Sequence, residues 1–442
     1  MSGLEPTTKL YRFTVLLFVS LLTFGSYFAY DSIGAISPIL VEKLGFARSA
    51  IGNLYTAYSI AAVLTVFLAG ILIDFLGTRK ASIIFSTMVL LGTIVVAFSS
   101  NYLVMWVGRF IFGSGSEALV VAQSAILARW FKGKELALSF GIALTVSRLG
   151  TLFSFNTEGL IATHFDSHSA ALWAATIFCI ISFLANIVYI IMDRFGEKAV
   201  ELKEEGTEEK IVLKDIKLFK SNYWYVVLLC LTFYSAIFPF TDLSNDFFVD
   251  KWNIPLVTEV TGGFLYKVFY NILHMFSTAG GITSIIIFAS MVCAPFAGYF
   301  VDKIGKRGTL MIWGSLIMIP CYLLMGLTHI YPAIPMVALG AAFVLVPAAM
   351  WPSVPLIVPK RAVGTAFGLM TFIQNIGLGL FPLLNGWLRD TTQTYSASMI
   401  MFASLGLFGL VFAILLKRSD AKEGDLLENP GVQSGRDRKS VV

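Results

Sequence analysis

The sequence predicts an all-α polytopic membrane protein, with twelve transmembrane helices arranged as two pseudo-symmetric six-helix bundles. Three observations carry this expectation. Of 442 residues, 57% are hydrophobic and only 13% charged, and the mean hydropathy is +0.79, which excludes an ordinary soluble domain. Apolar runs long enough to cross a hydrocarbon core ~30 Å thick recur along the whole chain. One short loop motif occurs twice, at equivalent places in the two halves.

In chain order, the first six spans are read at residues 13–40, 50–76, 82–99, 103–127, 136–164 and 170–192. A polar segment at 193–221, containing ELKEEGTEEK, is too charged to enter lipid and serves as a cytoplasmic linker. The second six spans are read at 223–248, 281–301, 310–327, 332–358, 363–388 and 396–416. The domains are then 1–192, the linker, 222–416, and a polar tail over 417–442 expected to be disordered. The N-terminal stretch MSGLEPTTKLYR lacks a signal-peptide cleavage pattern, so the run after it is read as the first span. Orientation follows from the basic residues. With both termini in the cytoplasm, only Lys43, Arg48, Lys251, Lys267 and Arg389 of the 32 lysines and arginines face outward, and Arg109 and Arg148 lie in the membrane. The net charge of +5 therefore follows loop topology and does not indicate nucleic acid.

The repeated motif reads GILIDFLGTRK after the second span and GYFVDKIGKR after the eighth. It places Gly70, Asp74, Gly77 and Arg79 in register with Gly298, Asp302, Gly305 and Arg307, on the same side of the membrane. Glycine permits close helix approach and a tight turn, and the carboxylate can accept from a neighbouring helix end. These eight residues are read as gating elements, and two parallel halves follow from the repeat.

The functional reading centres on residues 108–150. Two apolar spans there flank a basic connector, RWFKGKE at 129–135. At ~1.5 Å per residue, Glu117 lies roughly 16 Å from the connector and Arg148 roughly 19 Å, so both are near mid-membrane. A charge at that depth costs about 2.5–3.5 kcal/mol on insertion scales and is usually paired or functional. One reading is a structural salt bridge between the two; the other is a site that holds a zwitterionic solute between them. No nucleophile–base pair or metal cluster is present, so no enzyme, metal or cofactor is expected. Cys179, Cys230, Cys293 and Cys321 all sit in apolar runs without ligand spacing and are read as buried thiols.

The loop motif resembles the signature of the major facilitator superfamily, and Arg109-x-x-x-Gly113-x-Gly115 resembles its second motif. YFAYD at 27–31, GSEALVVAQ and WFKGKEL within 115–136, SRLGT at 147–151, FPF at 238–240, MWPSVPLIVP at 350–359 and GTAFGLMTFIQNIGLG at 364–379 are similar to the lysosomal dipeptide uniporter branch. That resemblance implies dipeptide transport by alternating access, with Glu117 and Arg148 contacting the two ends of the dipeptide. It also implies an accessory single-span glycoprotein for a eukaryotic member. The outer stretch 250–280 departs from the branch by its length and would alter the surface such a partner covers. Within it, 263–276 has apolar residues at helical spacing and is read as an interfacial helix.

The remaining candidates are weaker. Asp31 and Arg109 are read as a structural ion pair. Tyr27, Tyr30, Tyr55 and Tyr58 cluster on the first two spans as interfacial anchors or cavity lining; Tyr27 and Tyr58 are taken as substrate-binding. Tyr234, Gln374 and Asn375 fall near mid-membrane, where the amides could bond a peptide or join helices, and Trp351 supplies an aromatic wall. Asn156 is a further substrate candidate, and Glu158 is read as reaching the outer interface. The expected function is a dipeptide uniporter; the alternative is proton-coupled symport of small peptides or of another small organic anion. The expected location is the inner membrane of a prokaryote or the lysosomal membrane of a eukaryote.

Overall fold

The computed structural model describes residues 8–131, 135–200 and 213–429. It contains fourteen α-helices: α1 (Lys9–Leu21), α2 (Phe24–Ala35), α3 (Ser37–Leu44), α4 (Arg48–Phe98), α5 (Tyr102–Phe131), α6 (Leu136–His164), α7 (His168–Val200), α8 (Ser221–Trp252), α9 (Phe264–Leu273), α10 (Ala279–Ile304), α11 (Arg307–Leu327), α12 (Ala333–Ile357), α13 (Val363–Thr392) and α14 (Ser396–Lys422). Eleven stretches among the described residues are long and apolar enough to cross a membrane, and α10 supplies the shorter apolar run Ala279–Cys293. These are the twelve expected spans. The first is built from α1, α2 and α3, and the second and third are the two limbs of α4.

Local sequence explains the interruptions. The Thr8 side chain accepts from the Tyr11 N–H at 3.2 Å and starts α1. Pro38 stands in the first turn of α3, and Gly45, at φ +66°, ends it in the left-handed conformation. The limbs of α4 meet at Gly77 of the loop motif, whose φ of +77° and ψ of 160° suit glycine alone. The equivalent turn after α10 uses Gly305 and Lys306, at φ +68° and +50°. Prolines lie inside α8, α11, α12 and α13, as neighbouring helices in a membrane allow.

The chain divides into two compact units, one of residues 1–208 with 242–284 and the other of 209–241 with 285–442. In the first unit, α5 packs along both limbs of α4. The motif glycines make this possible. A Cβ on Gly113 would stand 2.4 Å from the Tyr58 carbonyl oxygen on one limb, and a Cβ on Gly115 would stand 2.5 Å from the Phe85 carbonyl oxygen on the other.

Two ends differ from expectation. Helix α7 runs past residue 192, because Asp193, fully buried, is held by Arg79, Arg129 and Trp130. The tail beyond 417 continues as helix to Lys422 and then docks. Leu427 is fully buried, the Glu428 carboxylate accepts from the Thr309 N–H at 2.9 Å, and the Arg307 N–H donates to the Leu427 carbonyl at 2.8 Å. The rest of that tail, 430–442, lies outside the described residues. So does most of the charged linker, 201–212.

Candidate functional site

Four helices of the first unit converge on the charges singled out by the sequence. From α2 come Tyr27, Tyr30 and Asp31; from α4, Tyr55 and Tyr58; from α5, Arg109, Ser116 and Glu117; from α6, Arg148 and Thr151. Gly150 permits the approach of α6, since a Cβ there would stand 2.3 Å from the Phe24 carbonyl oxygen.

Glu117 is half-buried, and Tyr58 donates its hydroxyl to the Glu117 carboxylate at 2.7 Å, with Ser116 Oγ 3.3 Å from the same hydroxyl. A neutral donor leaves the charge of Glu117 uncompensated while fixing its direction. Arg148 is also half-buried, with its guanidinium carbon 5.9 Å from the centre of the Tyr27 ring. Tyr27 feels both Arg148 and Glu117. The Glu117 carboxylate is thus held by the Tyr58 hydroxyl, and the Arg148 guanidinium lies beside the Tyr27 ring. Behind the tyrosines, Thr23 and Ser147 are 2.6 Å apart, and the Gln123 amide donates to the Val19 carbonyl and to Thr23.

Arg109 and Asp31 are placed differently from the expected ion pair. The Arg109 guanidinium lies 4.9–5.6 Å from the ring centres of Tyr30, Tyr55, Tyr58 and Phe112, and donates to the Ala29 carbonyl at 3.1 Å. Asp31 lies beside Thr151, with Arg148 and Arg109 as the cations that act on it. Among the described residues no Asp31–Arg109 salt bridge forms, and the aromatic cage surrounds the cation. Glu158 is 0% exposed, so it does not reach the outer interface as the sequence suggested. Asn156 donates to the Leu152 carbonyl at 2.8 Å and to Ser284 Oγ at 3.0 Å, so its amide ties α6 to the start of α10.

In the second unit, Trp351 donates to the Tyr234 hydroxyl at 2.9 Å, and the Tyr234 and Phe238 rings stack at 5.7 Å. Cys230 Sγ lies 3.5 Å from Gln374 Oε1, and Asn375 donates to the Thr371 carbonyl. Tyr234 of α8 and Trp351 of α12 therefore face each other, Gln374 of α13 faces α8 at Cys230, and the Asn375 amide is bonded within α13.

At the basic end of the first unit, Arg79 Nε is 2.5 Å and an Arg129 terminal nitrogen 3.2 Å from Asp193 Oδ2, and Trp130 donates to Oδ1 at 2.7 Å. Asp74 is exposed there. In the second copy of the motif, Arg307 is buried beside the docked tail. Gly70 and Gly298 occupy matching places along their helices, and the side chain of Asp302 lies outside the described residues.

Sequence reasoning missed Asp193 and Asp242. Asp193 was assigned to a solvated linker, although the two arginines and the tryptophan that hold it were legible in the motif and connector. Asp242 stands in the run FTDLSND, an acid within an apolar span, which was the available signal.

A helical membrane protein of two six-span bundles, carrying separated charges of opposite sign inside one of them, has the architecture of a solute carrier. Comparisons narrow the class. Residues 19–268 and 254–438 match the Major Facilitator Superfamily profile. The chain is 31% identical over 445 residues to the lysosomal dipeptide transporter MFSD1 of Danio rerio, covering 98% of this chain and 92% of that protein. The corresponding protein of Homo sapiens is also 31% identical, over 94% of this chain and 88% of its own length. In fold alone, a bacterial homolog of the human lysosomal transporter Spinster, solved in an inward-facing and occupied conformation, superposes with a TM-score of 0.71. It has 15% identity and covers 94% of this chain and 99% of its own. The chain belongs to the major facilitator superfamily, in the family of the vertebrate MFSD1 proteins.

Proposed function

We propose that this protein transports dipeptides by alternating access, as a uniporter, with Arg148 holding the substrate carboxylate and Glu117 its ammonium group. The observation that carries the reading is that a half-buried acid held by the Tyr58 hydroxyl and a half-buried guanidinium beside Tyr27 belong to one cluster of the first unit. A zwitterion carries a charge complementary to each. The guanidinium fork suits a carboxylate bidentately. Tyr58 holds the Glu117 carboxylate in place before substrate arrives, which lowers the ordering cost of binding. In the second unit, Tyr234 and Trp351 offer an aromatic wall and Gln374 and Asn375 offer amides for loosely selective side-chain contacts. Asn156, whose amide is engaged by Ser284, serves the packing of α6.

Both copies of the loop motif are gating elements in this reading, at the cytoplasmic face where the positive residues place both termini. The relatives are named as lysosomal transporters, which favours an internal acidic membrane for a eukaryotic source. The reading includes no catalytic step and no cofactor. Helix α9 exposes Leu265, Phe269 and Leu273 along one side, as an interfacial helix would. That surface occupies the outer face an accessory single-span subunit would otherwise cover, and an unaided chain is the simpler expectation.

The test is uptake of labelled dipeptides, single amino acids and tripeptides into proteoliposomes containing this chain alone. Preference for dipeptides, lost in Arg148→Gln, supports the reading. Equal uptake of all three, or transport of organic anions unaffected by that substitution, refutes it.

A further inference from the structure

The second sequence motif, Arg109-x-x-x-Gly113-x-Gly115 on α5, has no task in transport so far beyond letting helices approach. Contacts from this stretch converge on one residue, Tyr58 of α4. The Arg109 guanidinium carbon lies 5.6 Å from the centre of the Tyr58 ring, and the Phe112 ring centre lies 5.5 Å from it. Gly113 seats the backbone, since a Cβ there would stand 2.4 Å from the Tyr58 carbonyl oxygen and 2.8 Å from its Cα. Ser116 Oγ and the Glu117 carboxylate meet the hydroxyl at 3.3 and 2.7 Å. Positions 109, 112, 113, 116 and 117 recur at helical spacing. A single face of α5 therefore follows Tyr58 from its backbone to its hydroxyl.

Arg109 is 1% exposed. Among the described residues it donates one hydrogen bond, from Nη1 to the Ala29 carbonyl, while Nε and Nη2 have no hydrogen-bond partner. Its charge is met by ring faces, those of Tyr30, Tyr55, Tyr58 and Phe112 at 4.9–5.6 Å. Tyr30 packs edge-on against Tyr58 at 4.8 Å and against Tyr55 at 5.2 Å, which closes the cage. A desolvated cation attracts aromatic faces more strongly than an exposed one. Moving the Tyr58 ring away would remove part of the compensation this buried guanidinium has, so the ring is tied to the cation. With ring and backbone both held, the phenol keeps its hydroxyl directed at Ser116 and Glu117.

We propose that Arg109, with Phe112, is a positioning residue of the substrate-amine site. It fixes the Tyr58 ring, and through the Tyr58 hydroxyl it fixes the Glu117 carboxylate that receives the ammonium group. The assignment rests on the dipeptide reading, in which Glu117 meets that group. In this role Arg109 acts through Tyr58 and sets how well an amine is told from a neutral N-terminus. A carboxylate held by a phenol before binding loses less rotamer freedom when the amine arrives, so the benefit goes to substrates that carry the amine. A residue that only held helices together would act on all substrates alike.

The measurement is the amine preference, the affinity ratio of a free dipeptide to its N-acetylated form, by competition in proteoliposomes containing the full-length protein. Tyr58→Phe keeps the ring and removes the hydroxyl, and should lower the preference about 3- to 10-fold. Arg109→Met fills the cage without charge and should lower the preference by a similar factor. Placed in the Tyr58→Phe background, Arg109→Met should lower it by no more than a further ~2-fold, because both substitutions act through one hydroxyl. Phe112→Leu, which leaves the charge in place, is read in the same cycle if Arg109→Met does not fold. An unchanged preference in Tyr58→Phe overturns the proposal. So does a fall that multiplies in the double variant, or equal weakening of both substrates by the cage substitution. Failure of the dipeptide reading is told apart by the unsubstituted protein and Glu117→Gln. No amine preference in the first, or equal loss for both substrates in the second, overturns that reading and this assignment together.

Discussion

Glu117→Gln separates the two readings of the central charges. Glutamine keeps the size of the side chain and an oxygen that still accepts from Tyr58, now 2.7 Å from the carboxylate. What it loses is the charge facing a substrate ammonium. At ~3 Å and an effective dielectric of ~20, the bare attraction is about 5.5 kcal/mol, but desolvation offsets most of it. The net value of a hydrogen bond to a charged group is about 1.5–3 kcal/mol, against about 0.5–1.5 kcal/mol for a neutral one. The difference, ~1–2 kcal/mol, corresponds to a roughly 5- to 30-fold weaker affinity. Zwitterionic dipeptides should suffer this loss, whereas N-acetylated dipeptides, which carry no ammonium, should change by less than about 3-fold on the same scale. Competition against a labelled dipeptide in proteoliposomes measures both. Equal loss for the two substrate classes would show that Glu117 supports the fold or the Tyr58 contact and does not read the amine.

Arg148→Gln should mirror this result, weakening free dipeptides by more than about 10-fold and dipeptide amides little; binding competition with the amides checks it. Asp74→Asn is expected to slow exchange while leaving substrate affinity nearly intact, and a large affinity loss in a binding assay would contradict its gating role. Asp193→Asn leaves Arg79 and Arg129 facing a neutral partner in a buried site. It should cost about 3–5 kcal/mol, seen as a lowered unfolding temperature in fluorescence-detected size exclusion. Dipeptide flux at equal pH should not respond to a protonophore. Concentrative uptake driven by an imposed proton gradient, without a substrate gradient, would show coupling and remove the uniport reading.

Several residues were legible because their signal is local. Gly77 and Gly305 could be placed in turns from the motif alone, since a positive φ and close helix approach both require glycine at that spacing. The depth of Glu117 and Arg148 came from counting along helices whose ends the polar connector marks. The amphipathic spacing within 263–276 likewise foretold α9. Partners could not be read in the same way. Arg109 and Asp31 count to similar depths on different spans, yet the arginine turns into a cage of four rings and the aspartate lies beside Thr151. Depth gives height along the membrane normal and leaves rotation about the helix axis undetermined, so it does not choose between a carboxylate and an aromatic face.

The sequence by itself determined the twelve spans, the duplicated halves and the presence of opposite charges within the apolar spans. Hydropathy, loop charge and glycine spacing act within one helix or one turn, and a lipid solvent leaves few alternatives for the backbone. Only the tertiary structure decided which groups meet: Tyr58 with Glu117, Tyr27 beside Arg148, and Asp193 beneath two arginines. Those pairings join residues 59 to 121 positions apart in the chain. They depend on the rotation and offset of whole helices, which packing of glycines and rings against neighbouring backbones sets, and no periodicity within a single segment records that outcome.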